Sequence, residues 1–173
     1  MNRPPISPLQ DPTIVKRFGP LVEAEWAVPT ALQHKLTEAN RPVPTPVAGV
    51  ALIDTGASHT CIAQDAATEL GLRATSVGQT FGAGGRHANE TFFARLSFRI
   101  SLVSGQVGSV HREHTALGIP SLHEQFEHAA SRGTIPPTGV PWRLIGLIGR
   151  DLLQNMRFSM HGPSGTFEIA IVD

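Results

Sequence analysis

The most regular pattern of apolar and polar positions lies in the middle of the chain. Phe92, Ala94, Leu96, Phe98, Ile100 and Leu102 alternate with mostly polar Arg95, Ser97, Arg99 and Ser101. A period of two predicts a strand with one buried face. Residues 75–80 precede it across Phe81-Gly82-Ala83-Gly84-Gly85-Arg86-His87, so strand, glycine-rich tip and strand predict a hairpin. Further strands are expected at 18–28, at 47–53, over Thr60-Cys61-Ile62, and as a pair within 106–119. Residues 142–148 are apolar, and a terminal hairpin follows at 157–171 with Phe167, Ile169 and Ile171 on one face. Helical patterns are short. One opens at Pro29-Thr30, with Thr30 as N-cap and Leu32 and Leu36 on one side. A second covers 64–70 and is closed by Gly71, and a third covers 150–156. The fold class expected is all-β with short helices.

Composition refines this picture. Nine of the fourteen prolines fall in the first 46 residues. Residues 1–16 are expected to form an extended or disordered arm, and residues 17–173 a single domain. Residues 41–46 read as a polyproline-like connector. Residues 120–141 form an excursion, helical over 122–130 and then rich in Pro and Gly. The formal net charge is zero, which argues against nucleic-acid and membrane surfaces as partners. Cys61 is the only cysteine, which rules out an intrachain disulfide and makes a reducing compartment the default. The first residues lack the apolar core of a secretion signal, and no apolar run is long enough to span a bilayer. A cytoplasmic location is therefore expected.

Chemistry concentrates in Ala51-Leu52-Ile53-Asp54-Thr55-Gly56-Ala57-Ser58. An apolar strand running into a carboxylate is costly unless neighbours satisfy the charge, so such an aspartate usually has a task. Thr55 adds a hydroxyl, and Gly56 allows close approach of backbone or substrate. Taken alone, Asp-Thr-Gly is also ordinary turn chemistry. A second apolar stretch, Leu144-Ile145-Gly146-Leu147-Ile148-Gly149-Arg150-Asp151-Leu152-Leu153, lies nearly a hundred residues further on.

In order and spacing, the two stretches resemble those of the retropepsins, the retroviral-type aspartic proteases. The resemblance covers roughly residues 21–171 and implies a closed β-barrel lobe, one per chain, that is active as a two-fold homodimer. It implies an endopeptidase with Asp54 as catalytic acid/base, Thr55 bonding across the dimer, and Gly56 presenting backbone to the dyad. Ala57, Ser58 and His59 would line the substrate cleft. Gly82, Ala83, Gly84 and Gly85 would form the tip of a flap near 79–90. Gly149, Arg150 and Asp151 would support the active-site loop from behind. One departure stands out. The viral enzymes carry an aspartate four residues after the catalytic one, paired with the helix arginine, where this chain has Ser58. Arg150 then needs another partner, a backbone carbonyl or Asp151.

No cofactor or metal is expected. His123 and His128 are five residues apart, where a zinc-protease helix needs four. These two, with His111 and His114, read as surface residues. His59 stays open between a pocket residue and an exposed loop residue. Cys61 reads as a small buried apolar residue. The glycines at 82–85 precede a strand pattern rather than a helix, which disfavours a phosphate loop. Three functions remain in view: a peptidase of peptide or protein substrates, a noncatalytic peptide-binding module of the same fold, and a histidine-based metal hydrolase as a distant third. The proline-rich arm would be an inhibitory segment if it reached the cleft.

Overall fold

The computed structural model describes residues 9–82, 85–101, 107–124, 126 and 141–171. Nine strands follow in order: β1 Leu21–Ala27, β2 Val47–Ile53, β3 Cys61–Ala63, β4 Ser76–Gly82, β5 Gly85–Ser101, β6 Val107–Ile119, β7 Leu144–Ile148, β8 Met156–His161 and β9 Thr166–Ile171. Four short helices accompany them: α1 Pro12–Phe18, α2 Thr30–Glu38, α3 Gln64–Glu69 and α4 Arg150–Leu153. The sheet order is β1-β2-β7-β3-β6-β5-β4, and β1 also pairs with β5. Six strands therefore close into a barrel, with β4 attached outside the ring. Closure leaves no ring strand with an unpaired edge.

The alternating face of β5 fills the barrel: Phe92, Ala94, Leu96, Phe98 and Ile100 are all buried. Strand β2 is apolar almost throughout because it lies inside the sheet, antiparallel to β1 and parallel to β7. Trp26 anchors the centre. It is fully buried, and its indole Nε1–H donates to the Ile145 carbonyl at 3.1 Å, which satisfies the one polar atom that its burial would otherwise strand.

Three expectations are corrected. Residues 9–16 are not an extended arm. The Asp11 side chain accepts from the amides of Thr13 and Ile14 at 2.8 and 3.3 Å, and Pro12 takes the first helical position. Asp-Pro at a helix start is a capping signal that the high proline content obscured. Leu9, Ile14 and Val15 join the core. Gly165, with φ +64, lies where a Cβ would come within 2.3 Å of the Asp11 carbonyl carbon, so the terminal hairpin packs directly on this segment. Secondly, Thr30 does not cap α2. Pro29 is the N-cap, the helix buries none of its residues, and the Thr30 amide donates to Glu113 at 2.6 Å. Thirdly, residues 107–119 form one strand rather than a pair. The polar run at 111–114 lies in register opposite 94–97 of β5 and continues the strand. The helical expectation at 122–130 falls mostly outside the described residues, with 122–124 and 126 helical.

Because Leu9 is fully buried, Leu9→Ala is expected to destabilise the protein by about 2–5 kcal/mol in chemical denaturation. A dispensable tail would give a change within about 0.5 kcal/mol.

Candidate active site

Strand β7 is threaded between β2, which runs parallel to it, and β3, which runs antiparallel. These two strands are joined directly by residues 54–60. The connection must therefore cross the end of β7, and its geometry is set by backbone bonds to that end. The Asp54 amide donates to the Ile148 carbonyl at 3.0 Å, and the Arg150 amide donates to the Ala57 carbonyl at 3.0 Å. Between these two ties the chain turns, with the Ala57 amide donating to the Asp54 carbonyl at 3.2 Å.

The Asp54 carboxylate sits at this turn, half-buried. Its Oδ1 accepts from the amides of Gly56 at 2.9 Å and Ala57 at 3.2 Å. These bonds fix the carboxylate's direction and leave Oδ2 without a hydrogen bond among the described residues. A Cβ at Gly56 would sit 3.1 Å from Oδ1, so a side chain there would crowd the acid. Thr55 is exposed on the same turn. A cleft of about 640 Å³ opens over the turn, lined by Asp54, Gly56, Ala57, Ser58, His59 and Cys61, by Leu117 and Leu147, and by Gln79 and Thr80 of β4. Gly82 and Gly85 face each other at the end of the β4–β5 hairpin; Ala83 and Gly84 lie outside the described residues. Residues 9–18 do not line the cleft.

Behind the turn lies a polar cluster that the sequence only half revealed. Thr60 is fully buried. Its amide donates to both Asp151 carboxylate oxygens at 2.8–2.9 Å, and its hydroxyl donates to Asp151 Oδ1 at 2.7 Å. The same hydroxyl accepts from the Gly149 amide at 3.1 Å. His114 Nε2 lies 2.8 Å from Asp151 Oδ2. Burial is the strongest influence on the Asp151 carboxyl and pushes its pKa up. The amide and hydroxyl of Thr60 and the His114 imidazole together outweigh that push, leaving the pKa below the ordinary carboxylate value. Asp151 bonds to the loop through Thr60 and to β6 through His114. Arg150 has no side-chain ion pair among the described residues. Of the two partners expected for it, a backbone carbonyl or Asp151, the latter is engaged elsewhere, and the bond Arg150 makes to the turn runs from its backbone amide to the Ala57 carbonyl.

His114 is consequently not a plain surface histidine. Its signal in the sequence was confined to one polar position in a strand, and nothing there linked it to residue 151. Cys61 lines the cleft, but burial, then the charges of Asp151 and Asp54, push its thiol up to about 12. It stays protonated near neutral pH and is no nucleophile. No group of three His, Cys, Asp or Glu among the described residues could hold a metal ion.

Gly149 marks the tightest contact in the region. A Cβ there would lie 2.4 Å from the His59 carbonyl carbon and 2.8 Å from the Thr60 nitrogen. Since backbone cannot yield as a side chain tip can, Gly149→Ala is expected to cost about 3 kcal/mol or more in thermal or chemical denaturation. The lowered Asp151 pKa adds a pH signature. Its stabilisation is complete above the unfolded value of about 3.9 and is lost as pH falls through the lower folded value. Asp151→Asn should therefore flatten the fall in stability between about pH 5 and pH 2, as read by denaturation midpoints across that range.

A search of the curated proteins finds no match. A family model described as aspartyl protease matches residues 43–125, a span that takes in the Asp54 turn, the cleft wall of β4 and most of the barrel. That match falls on this barrel and this turn and supports a retropepsin-like aspartyl protease family.

Proposed function

We propose that the protein is an aspartic endopeptidase that works as a homodimer, with Asp54 from each subunit forming the catalytic pair. The observation that carries this reading is the Asp54 carboxylate itself, oriented through one oxygen by two amides and open through the other at the floor of a 640 Å³ cleft.

Peptide hydrolysis without metal or covalent intermediate needs a base to activate water and an acid to polarise the scissile carbonyl. Two nearby carboxylates sharing one proton meet both needs, as aspartic proteases do, because their like charges prevent both from ionising easily. The ionised member takes a proton from water as the oxygen attacks the carbonyl carbon. The protonated member hydrogen-bonds the carbonyl oxygen, and the proton taken from water then passes to the leaving amine. One chain supplies a single Asp-Thr-Gly, so the second carboxylate would come from a second copy on a two-fold axis. Thr55 suits this role, being exposed with no hydrogen bond to its hydroxyl among the described residues. In the dimer it would bond across the axis and hold the two turns together.

The β4–β5 hairpin would serve as the flap, with Gly82, Ala83, Gly84 and Gly85 at its tip and Gln79 and Thr80 on the cleft side. Ala57, Ser58 and His59 would contact substrate. Partners in this reading are a second copy and a peptide or protein, without nucleic acid, membrane, metal or cofactor. A single cysteine suits a reducing cytoplasm, and no helix among the described residues is long and apolar enough to cross a membrane.

Peptidase activity on a mixed peptide substrate is expected to rise with the square of protein concentration below the dimer dissociation constant. Asp54→Asn should lower kcat by about 10²–10⁴-fold while leaving the melting curve close to that of the parent. Full activity in Asp54→Asn sinks the mechanism. A dimer that binds peptides but never cleaves them would instead support a noncatalytic binding module.

A further inference from the structure

A second cavity, of about 340 Å³, opens beside the Asp54 cleft and shares His59, Gln79 and Leu117 with it. Its other ionisable lining residues are His114 and Asp151. Asp151 is already engaged: its oxygens accept from Thr60, from the Leu152 amide at 2.9 Å and from His114. Each imidazole, by contrast, keeps at least one ring nitrogen without a hydrogen bond among the described residues. His59 is 62% exposed, and its Nδ1 lies 3.9 Å from Asp151 Oδ2, beyond hydrogen-bond range. His114 reaches Asp151 through Nε2 alone, so its Nδ1 is without a partner among the described residues. The remaining lining residues are Gly78, Gln79, Thr91, Thr115 and Leu117, and the exposed wall surface is largely carbon. A side chain seated here would meet carbon along its stem and N–H donors at its head.

We infer that this cavity is a substrate subsite that selects a glutamate side chain of the bound peptide, with His59 as the residue that specifies it. The inference rests on the peptide-binding reading of the cleft. Glutamate fits better than aspartate because its two methylenes would pack on Leu117 while the carboxylate reaches the imidazoles. It fits better than glutamine because a carboxylate gains a charge-assisted bond once an imidazole is protonated.

The ionisable residues lining either cavity are Asp54, His59, Cys61, His114 and Asp151. Cys61 is neutral across the working range, and Asp151 stays ionised because its pKa is lowered. A peptide glutamate remains ionised down to about 4.3.

The test uses binding, so that it does not depend on turnover. Fluorescein-labelled decapeptides that differ only by Glu or Gln, scanned through each position of an otherwise apolar sequence, are titrated into the Asp54→Asn protein. At one position Glu is expected to bind about 3–5-fold more tightly than Gln near pH 5, as befits a partly exposed ion pair. His59→Gln in the same background should bring the ratio to about one. His59→Lys, which keeps a cation at this position, should keep the preference. A ratio of one at every position, no binding by any peptide, or a ratio that survives His59→Gln overturns the subsite. Cleavage by the parent protein is scored separately. Selective binding without any cleavage would uphold the subsite and refute the peptidase.

Discussion

The architecture depends on how closely two pieces of backbone approach behind the Asp54 turn. Any side chain at residue 149 is strongly disfavoured, because the His59–Thr60 peptide occupies the space a Cβ would need. That approach brings the Gly149 amide to the Thr60 hydroxyl and the Asp151 carboxylate to the Thr60 amide. A threonine buried this completely would be costly without such partners. Here its amide, its hydroxyl and its carbonyl, which accepts from the Leu117 amide at 3.1 Å, are all bonded. The turn that carries Asp54 is thereby locked to β7, α4 and β6 at once.

This arrangement explains how the chain dispenses with the viral aspartate four residues after the catalytic one. Where that enzyme type ties its loop to a helix arginine, this chain has Ser58, and its Arg150 side chain forms no ion pair among the described residues. The task of fastening helix to loop passes to the next residue, Asp151. It reaches past the loop to Thr60, with His114 of β6 as a third member. A carboxylate that accepts several donors tolerates partial burial better than an isolated pair would.

The environment also separates the two candidate nucleophilic systems in this region. Cys61 and Asp54 line the same cleft, but burial and neighbouring carboxylates keep the thiol protonated. Asp54 keeps its amide donors and an open oxygen. In the proposed peptidase, the chemistry would fall to the acid because of these surroundings, not because of the order of residues along the chain.

Much was determined by local pattern alone. The alternation of residues 92–100 specified a half-buried strand, and the continuous apolar run at 47–53 specified a strand covered on both sides. That the Asp-Thr-Gly and Ile-Gly-Arg-Asp stretches meet was implied by the resemblance to the retropepsins, whereas side-chain period and turn chemistry act only over a few residues. What tertiary structure decided are long-range matters. Residue 151 pairs with residues 60 and 114 rather than 150 with a neighbour, since strand order, not sequence proximity, brings those groups together. The prolines near the start looked like an arm until Asp11 and Pro12 proved to cap a helix that the terminal hairpin holds in place. The stretch 106–119 read as a strand pair, whereas eleven residue pairs of register with β5 make residues 107–119 one strand. In each case the local signal was real, and a contact dozens of residues away outweighed it because burial and hydrogen bonding of the whole segment exceed the preference of any short stretch.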